Sequence, residues 1–437
     1  MSEEVAEIEE KEEDDVEDEQ EESVPPSESQ ALALKVRQEA NELAAAVAAA
    51  ETDEEKSKTF FRLIRESCIP YLPCTLRDKP AELYARSYEA VYILARVNLP
   101  LCVGFAMHQY NLAALATLPV PAAPEFENRR KILVDSIQRY KTLLAISSFG
   151  SNIRGRGTPN PNVVVRENER GEFVCNGRKN FQSMATNADL LLFSGYLPGD
   201  EMGMFYCQLN ADERVVPGAS LFAGAMKLTD TKPITFNNLV IKRRQVLSME
   251  EWLTYHVSNY ATSWFEALIS AVYLGGACRA LEEVRKFGRS VSHDQEKLLS
   301  ELDGFQLEAG RLALKHRSAL AFGMSYGPLA EKYCRAVIDG VPEDEEDGLS
   351  SDLMDVSGCI KYTTTAAAQE IVNGARALIG TRSMSVSHPI HALTEQICFG
   401  PLHPIIPARA EREEGEDMLG EEEYMGWFPT MYGGSRP

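Results

Sequence analysis

The chain has 437 residues, enough for two or three core-forming units, and its 44% hydrophobic content is that of a soluble globular protein. No apolar run reaches the roughly 20 residues that a membrane-spanning helix needs, and the acidic start fits neither a secretory leader nor an Arg-rich transit peptide, so a cytoplasmic location is expected. Nine cysteines without a C-x-x-C pair read as reduced thiols, which excludes a disulfide framework or a zinc site.

The formal charge of −22 is segregated. Residues 1–23 carry a net −13 and residues 411–423 a net −7, which leaves only −2 for everything between. The acidity therefore belongs to two solvated tails and not to the folded body. Phosphate binding wants clustered Lys and Arg, so nucleic acid is excluded as a partner.

In chain order, residues 1–30 read as a disordered acidic tail ending in a Pro-bearing linker, and residues 31–146 as a helical unit. Helical spacing recurs over Ala31–Ala50, Glu54–Ile69, Pro80–Arg96, Leu101–Leu115 and Asn128–Ile146, broken at prolines. Residues 147–249 change to short runs bounded by Gly, Pro, Asn and Asp, as in a small antiparallel barrel or sandwich. These runs are Asn162–Arg166, Phe173–Cys175, Leu190–Phe193, Met204–Gln208 and Leu239–Ile241. Helices return over residues 250–405, through Leu253–Phe287, Glu296–Met324, Gly327–Ile338 and Leu353–Leu378. The acidic run from Glu343 to Asp347 reads as a loop between two of them. Residues 406–437 form a second acidic tail.

The stretch from Gly171 to Asp189 carries the most chemical information. Asn176-Gly177 is the dipeptide of a tight hairpin turn, with Phe173 and Val174 on the outgoing strand and Lys179–Ser183 on the returning one. Alternation then places the Phe181 ring and the Ser183 hydroxyl on one face, where both can meet one flat ligand.

This pattern resembles that of the acyl-CoA dehydrogenase family of flavoproteins, in which an aromatic-x-Thr/Ser strand lies beside the flavin ring with its hydroxyl near N5. Three further segments, in the right order, are similar to that family. They are Leu228–Leu247 (LTDTKPITFNNLVIKRRQVL), Arg285–Gln295 (RKFGRSVSHDQ) and Arg376–Pro389 (RALIGTRSMSVSHP). Together they span roughly residues 80 to 405. The resemblance implies an α+β multidomain chain, with an N-terminal helical domain, a middle β-domain and a C-terminal four-helix bundle.

It also implies FAD as cofactor, shared across a homodimer or homotetramer, and a small-molecule substrate, an acyl thioester in the family pattern. Phe181 and Ser183 would meet the flavin ring. Ser147 and Ser151 would hold flavin, Ser151 also substrate, in the loop Ser147–Asn152, whose small residues leave backbone N–H groups and hydroxyls free. Arg285 and Gln295 would reach the partner's pyrophosphate and adenosine, a fork suited to phosphate oxygens. Gly380 and Thr381 would turn toward the adenine. The chain departs from the pattern at Arg285, one residue closer to Phe287 than usual, and at Arg376, where relatives carry Gln. Glu395-Gln396 stands where they carry Arg-Asp.

The proton-handling group departs most. Where many relatives place a Glu before Gly, this chain has Pro404, beside His403. Glu266, one residue away from the position some relatives use on the first bundle helix, is a second candidate. A His near this point together with a Ser on the flavin strand also resembles the reduced-flavin-dependent monooxygenases of the same fold, with FMN possible as cofactor and a flavin reductase as partner. There imidazole can act as acid or base. Ser183 and His403 would then be catalytic, and His108 would face substrate from the helical domain. His388 and His391 read as structural. Three functions follow: a dehydrogenase passing electrons to an acceptor, a monooxygenase, or a non-catalytic binding protein.

Overall fold

The computed structural model describes residues 26–147, 163–199, 201–292, 296–404 and 406–420. Six helices come first: α1 (Glu28–Ala49), α2 (Asp53–Glu66), α3 (Leu72–Thr75), α4 (Pro80–Ala95), α5 (Leu99–Thr117) and α6 (Pro124–Tyr140). Their starts are written locally. Ser27 with Gln30 and Thr52 with Glu55 form capping boxes for α1 and α2. Proline occupies the first turn of α4, α5 and α6, where a missing N–H costs nothing. α5 is buried along almost its whole length and runs through the centre of the molecule.

The sheet comprises β1 (Leu144–Ser147), β2 (Val163–Glu167), β3 (Phe173–Gln182), β4 (Leu190–Tyr196), β5 (Met202–Gln208), β6 (Val215–Pro217), β7 (Lys232–Ile241) and β8 (Val246–Ser248). Its order is β6-β7-β3-β2-β4-β5-β8, with β1 beside β4. Phe193, Phe205 and Phe236 pack on one another in its core.

The C-terminal helices are α7 (Glu251–Phe287), α8 (Asp303–Gly323), α9 (Tyr326–Asp339), α10 (Glu343–Ile379), α11 (Pro389–Ile397), α12 (Phe399–Leu402) and α13 (Pro407–Gly420). α7 and α10 are the two long rods. Gly275 lets α7 reach the backbone of α4, for a Cβ there would lie 2.6 Å from the Tyr92 carbonyl oxygen. Trp264 and Tyr273 of α7 are fully buried, each contributing about 1.5–3 kcal/mol of apolar burial.

Four expectations are corrected. Asn176-Gly177 is no turn: β3 runs through it, with a register shift between Cys175 and Gly177, while the β2–β3 reversal occurs at Asn168–Glu172. Ladder pairing with both β2 and β7 outweighs the local turn preference. The sheet is mixed, because β1 and β2 each run parallel to β4. The helix expected to reach Ile146 stops at Tyr140, where Lys141 takes a left-handed conformation (φ 52°), and the chain enters β1. The acidic run 343–347 opens helix α10 and is not a loop between helices.

Candidate functional site

Two neighbouring regions hold the predicted residues. The first is the turn after β3. Phe181 is 45% exposed at the strand's end, Gln182 points inward and is fully buried, and Ser183 is half-buried beside it. The chain then turns at Met184, whose φ of 55° departs from the strand. A short backbone ladder fastens the turn to the segment before β7, with Met184 N–H donating to the Thr229 carbonyl (3.1 Å) and Ala185 N–H to that of Asp230 (3.0 Å). The Asp230 carboxylate then accepts from the Thr186 N–H and hydroxyl, both at 2.6 Å.

Behind Ser183 stand two more hydroxyls. Ser183 Oγ lies 2.9 Å from Thr231 Oγ1, which lies 2.8 Å from Thr229 Oγ1, and the Thr229 hydroxyl donates to the Met226 carbonyl at 3.0 Å. Thr229 and Thr231 are buried. The 3-10 turn Gly224–Thr229 carries this segment against the C-terminal helices. Gln396 of α11 donates to the Ala225 carbonyl (3.2 Å), and Phe222 meets Phe399 of α12 edge to face.

The second region lies where α7, α10 and the end of α12 meet. Glu266 is 3% exposed and accepts from the Ser357 hydroxyl at 2.9 Å. Lys361, one turn beyond Ser357 and 2% exposed, is drawn electrostatically to Glu266. Its ammonium donates to the backbone carbonyls of His403 (2.5 Å) and Pro401 (3.4 Å). Burial lowers its pKa to about 8 against the opposing pull of Glu266. The same cation therefore feels the charge of Glu266 and fixes the segment that carries His403.

His403 itself sits against Tyr273 and Phe265. Its Nε2 is 2.7 Å from the Tyr273 hydroxyl. Enclosure of the ring, reinforced by the Lys361 charge, lowers its pKa to about 3, so the imidazole is neutral across the physiological range. Burial holds the Tyr273 phenol well above its ordinary range, hence protonated. Among the described residues His403 Nε2 is the one acceptor within reach of that phenol, and a buried hydroxyl proton needs an acceptor. Tyr273 therefore donates to Nε2. The imidazole proton is left on Nδ1, which has no partner among the described residues, and His403 presents an N–H.

The remaining expectations divide. His108, expected at the substrate, is fully buried, with Nε2 on the Pro70 carbonyl (3.0 Å) and Nδ1 accepting from Leu144 N–H (2.8 Å). Both nitrogens are committed to tying α3's approach to β1, so this residue is structural. Arg285 is exposed at the end of α7 and makes no ion pair among the described residues. Gly380, with φ 72°, and exposed Thr381 lie in the turn after α10. The two segments approach each other, for Arg382 stacks its guanidinium over Phe287, 5.4 Å from the ring centre. Ser147 is the last residue of β1, paired with Phe193. Ser151 and Gln295 lie outside the described residues.

Sequence reasoning missed Lys361, Ser357, Tyr273, Thr229 and Thr231. Signals existed. Glu266 and Tyr273 are two helical turns apart, Ser357 and Lys361 are one turn apart, and Lys361 is the lone charge in an otherwise uncharged stretch, Val356–Ala368. His388 caps α11, accepting from Ile390 N–H, and no group of metal-ligating side chains occurs among the described residues. No described helix is long and apolar enough to cross a membrane.

No protein-family model and no curated protein matches the chain. Solved structures do. FMN-bound TdsC, a dibenzothiophene monooxygenase from Paenibacillus sp. A11-2, superposes with a TM-score of 0.74 at 19% identity, covering 88% of this chain and 97% of that one. A nitroalkane oxidase active-site mutant crystallised with 1-nitrooctane gives 0.72 at 15% identity, covering 94% and 100%. Butyryl-CoA dehydrogenase from Megasphaera elsdenii gives 0.68 at 14% identity, covering 91% and 99%. The chain thus has the acyl-CoA dehydrogenase fold, as its four sequence segments led one to expect.

Proposed function

We propose that this protein is a flavin-dependent oxidoreductase acting on a small organic substrate, and that it works as a reduced-flavin-dependent monooxygenase with His403 as hydrogen-bond donor. The observation that carries this reading is the Tyr273–His403 contact, because it turns a neutral imidazole into an N–H donor where a dehydrogenase needs a base. FMN in the fold neighbour TdsC supports the cofactor class.

The residues present fit a flavin. An exposed aromatic ring at Phe181 and a half-exposed hydroxyl at Ser183 share one edge, which suits the face and the polar rim of a flat heterocycle. Ser147 and Ser151 would hold the pyrimidine side. If the dinucleotide FAD is used, Arg285 would take phosphate in a partner subunit, with Gln295, Gly380 and Thr381 toward the adenine, which requires at least a homodimer. Flavin supplies two-electron chemistry and, when reduced, reactivity toward dioxygen.

The chain's own groups do the rest. Lys361 would hold the His403 backbone in place, Tyr273 would set the imidazole tautomer, and His403 would offer its Nδ1–H as a fixed hydrogen bond to an oxygen that gains negative charge during the reaction. Phe265 packs edge to face on the His403 ring and gives it an apolar wall. The anticipated partner is a flavin reductase.

The second reading, dehydrogenation of an acyl thioester to an electron acceptor, would use Glu266 as base. Its Oε2 already accepts the Ser357 hydroxyl at 2.9 Å and the side chain is enclosed between α7 and α10, away from His403 and the turn after β3. Purified protein supplied with flavin, a flavin reductase, candidate substrates and oxygen-18 gas should yield product carrying one labelled oxygen. Unlabelled product, with oxidised flavin bleached by acyl-CoA, would establish the dehydrogenase instead. Failure to take up either FMN or FAD would leave a non-catalytic binding protein.

A further inference from the structure

The hydroxyl chain behind Ser183 has a direction, and one backbone carbonyl sets it. The Thr229 hydroxyl has a single proton and is placed to donate it to the Met226 carbonyl oxygen, at 3.0 Å. Thr229 then has none left for Thr231, and in that 2.8 Å pair Thr231 must be the donor. By the same step Ser183 must donate to Thr231 across 2.9 Å. Thr229 and Thr231 are 2% and 3% exposed, so exchange with solvent does not relieve this order. Every proton in the chain points inward, and the outer side of Ser183 Oγ offers lone pairs alone.

We infer that the Thr229–Thr231 relay makes Ser183 a fixed hydrogen-bond acceptor and thereby tunes the site to the reduced, N5-protonated form of a flavin. This rests on the flavin reading above. N5 of an oxidised flavin is an acceptor and would face another acceptor; N5–H of a reduced flavin is a donor and finds a partner. Thr229 and Thr231 are on this account positioning residues that select a cofactor redox state without touching the cofactor. A protein that must capture reduced flavin from a separate reductase needs such a preference.

The test is equilibrium binding under anaerobic conditions, with oxidised and reduced FMN and FAD titrated separately against the full chain. Exchanging a matched for a mismatched hydrogen bond changes the ratio of the two dissociation constants by about tenfold, which is about 30 mV in a two-electron midpoint potential. Thr231→Val removes the acceptor for the Ser183 proton and lets it turn outward, so the preference for reduced flavin should fall about tenfold and the bound-flavin potential should drop. Thr229→Val should act in the same direction from one residue further away, because Thr231 can then donate to Ser183. In a Ser183→Ala background, adding Thr231→Val should change nothing.

An unchanged ratio in Thr231→Val, or an equal change in the Ser183→Ala background, overturns the inference while leaving the flavin site standing. Thr229→Val carries the same test should Thr231→Val not fold. Wild-type protein that binds neither flavin in either redox state removes the flavin reading itself.

Discussion

The turn after β3 and the junction of α7, α10 and α12 control protons by opposite means. Along the hydroxyl chain at the turn every group is neutral, and order comes from counting hydroxyl protons against one carbonyl. At the junction a buried ammonium acts on the imidazole, and enclosure of the ring fixes its protonation. The first arrangement yields an acceptor at Ser183, the second a donor at His403. A neutral network is cheap to bury and sensitive to single hydroxyls; a charged one is costly to bury and sensitive to charge balance.

That difference predicts the largest effect at Lys361. Lys361→Met strands the Glu266 carboxylate in a nearly solvent-free position and should cost about 3–5 kcal/mol in chemical denaturation. Adding Glu266→Gln should restore most of it. A Lys361→Met loss below 1 kcal/mol would show that the pair is not a unit. No mutation in the hydroxyl chain should approach this size, since each removes about 1 kcal/mol of hydrogen bonding.

His403→Gln should lower turnover by about a hundredfold while leaving flavin binding within twofold, because the Nδ1–H donor held in place by Tyr273 is removed. Tyr273→Phe frees the imidazole tautomer and should lower turnover less, by about tenfold. If His403→Gln weakens flavin binding and turnover equally, His403 belongs with the cofactor and not with the reacting oxygen.

The pH profile sharpens the contrast further. His403, with its pKa lowered to about 3, adds no acid limb above pH 4. Lys361, lowered to about 8, loses its proton as pH rises through that value, and the His403 segment then loses its anchor. Turnover should be level from pH 5 to 7.5 and fall on the alkaline side, by about tenfold per unit once the ammonium is mostly gone. Lys361→Arg keeps the charge and should abolish that limb. Lys361 interacts electrostatically with Glu266 and His403; burial pushes the thiol of Cys359, on the same helix, up to about 12, so it does not titrate in this window.

The helix–sheet–helix order was legible because period and punctuation change near Ser147 and again near Met249, although the first strand in fact begins at Leu144. Phe181 and Ser183, singled out by their i, i+2 spacing, stand exposed and half-buried at the end of β3, whereas the hairpin assigned to Asn176-Gly177 does not form. Glu266 and His403 were each visible, but not their union through Lys361, because that contact joins residues 42 positions apart through a backbone carbonyl. A side chain that bonds backbone leaves no complementary residue type to look for. His108 misled for the mirror reason: its ring is satisfied by the backbone of Pro70 and Leu144, which residue identity cannot disclose.

Two glycines provide the smallest and most discriminating comparison. Gly104 of α5 lies beneath the turn, where a Cβ would stand 3.2 Å from Met184 Cγ and 3.3 Å from the Thr229 carbonyl oxygen. Gly358 of α10 lies beside the charged cluster, where a Cβ would stand 3.8 Å from Glu266 Oε2, an ordinary contact. Alanine at either position gains up to about 1 kcal/mol of helix propensity. At Gly358 that gain should appear intact as added stability with turnover unchanged. At Gly104 the carbonyl that anchors Met184 must shift by a few tenths of an ångström, so the gain should be cancelled and reduced-flavin affinity should fall about threefold, in step with the loosened Ser183 turn. Equal stabilisation of both variants, with flavin binding untouched in each, would show that the turn accommodates crowding and that its geometry is not held by α5.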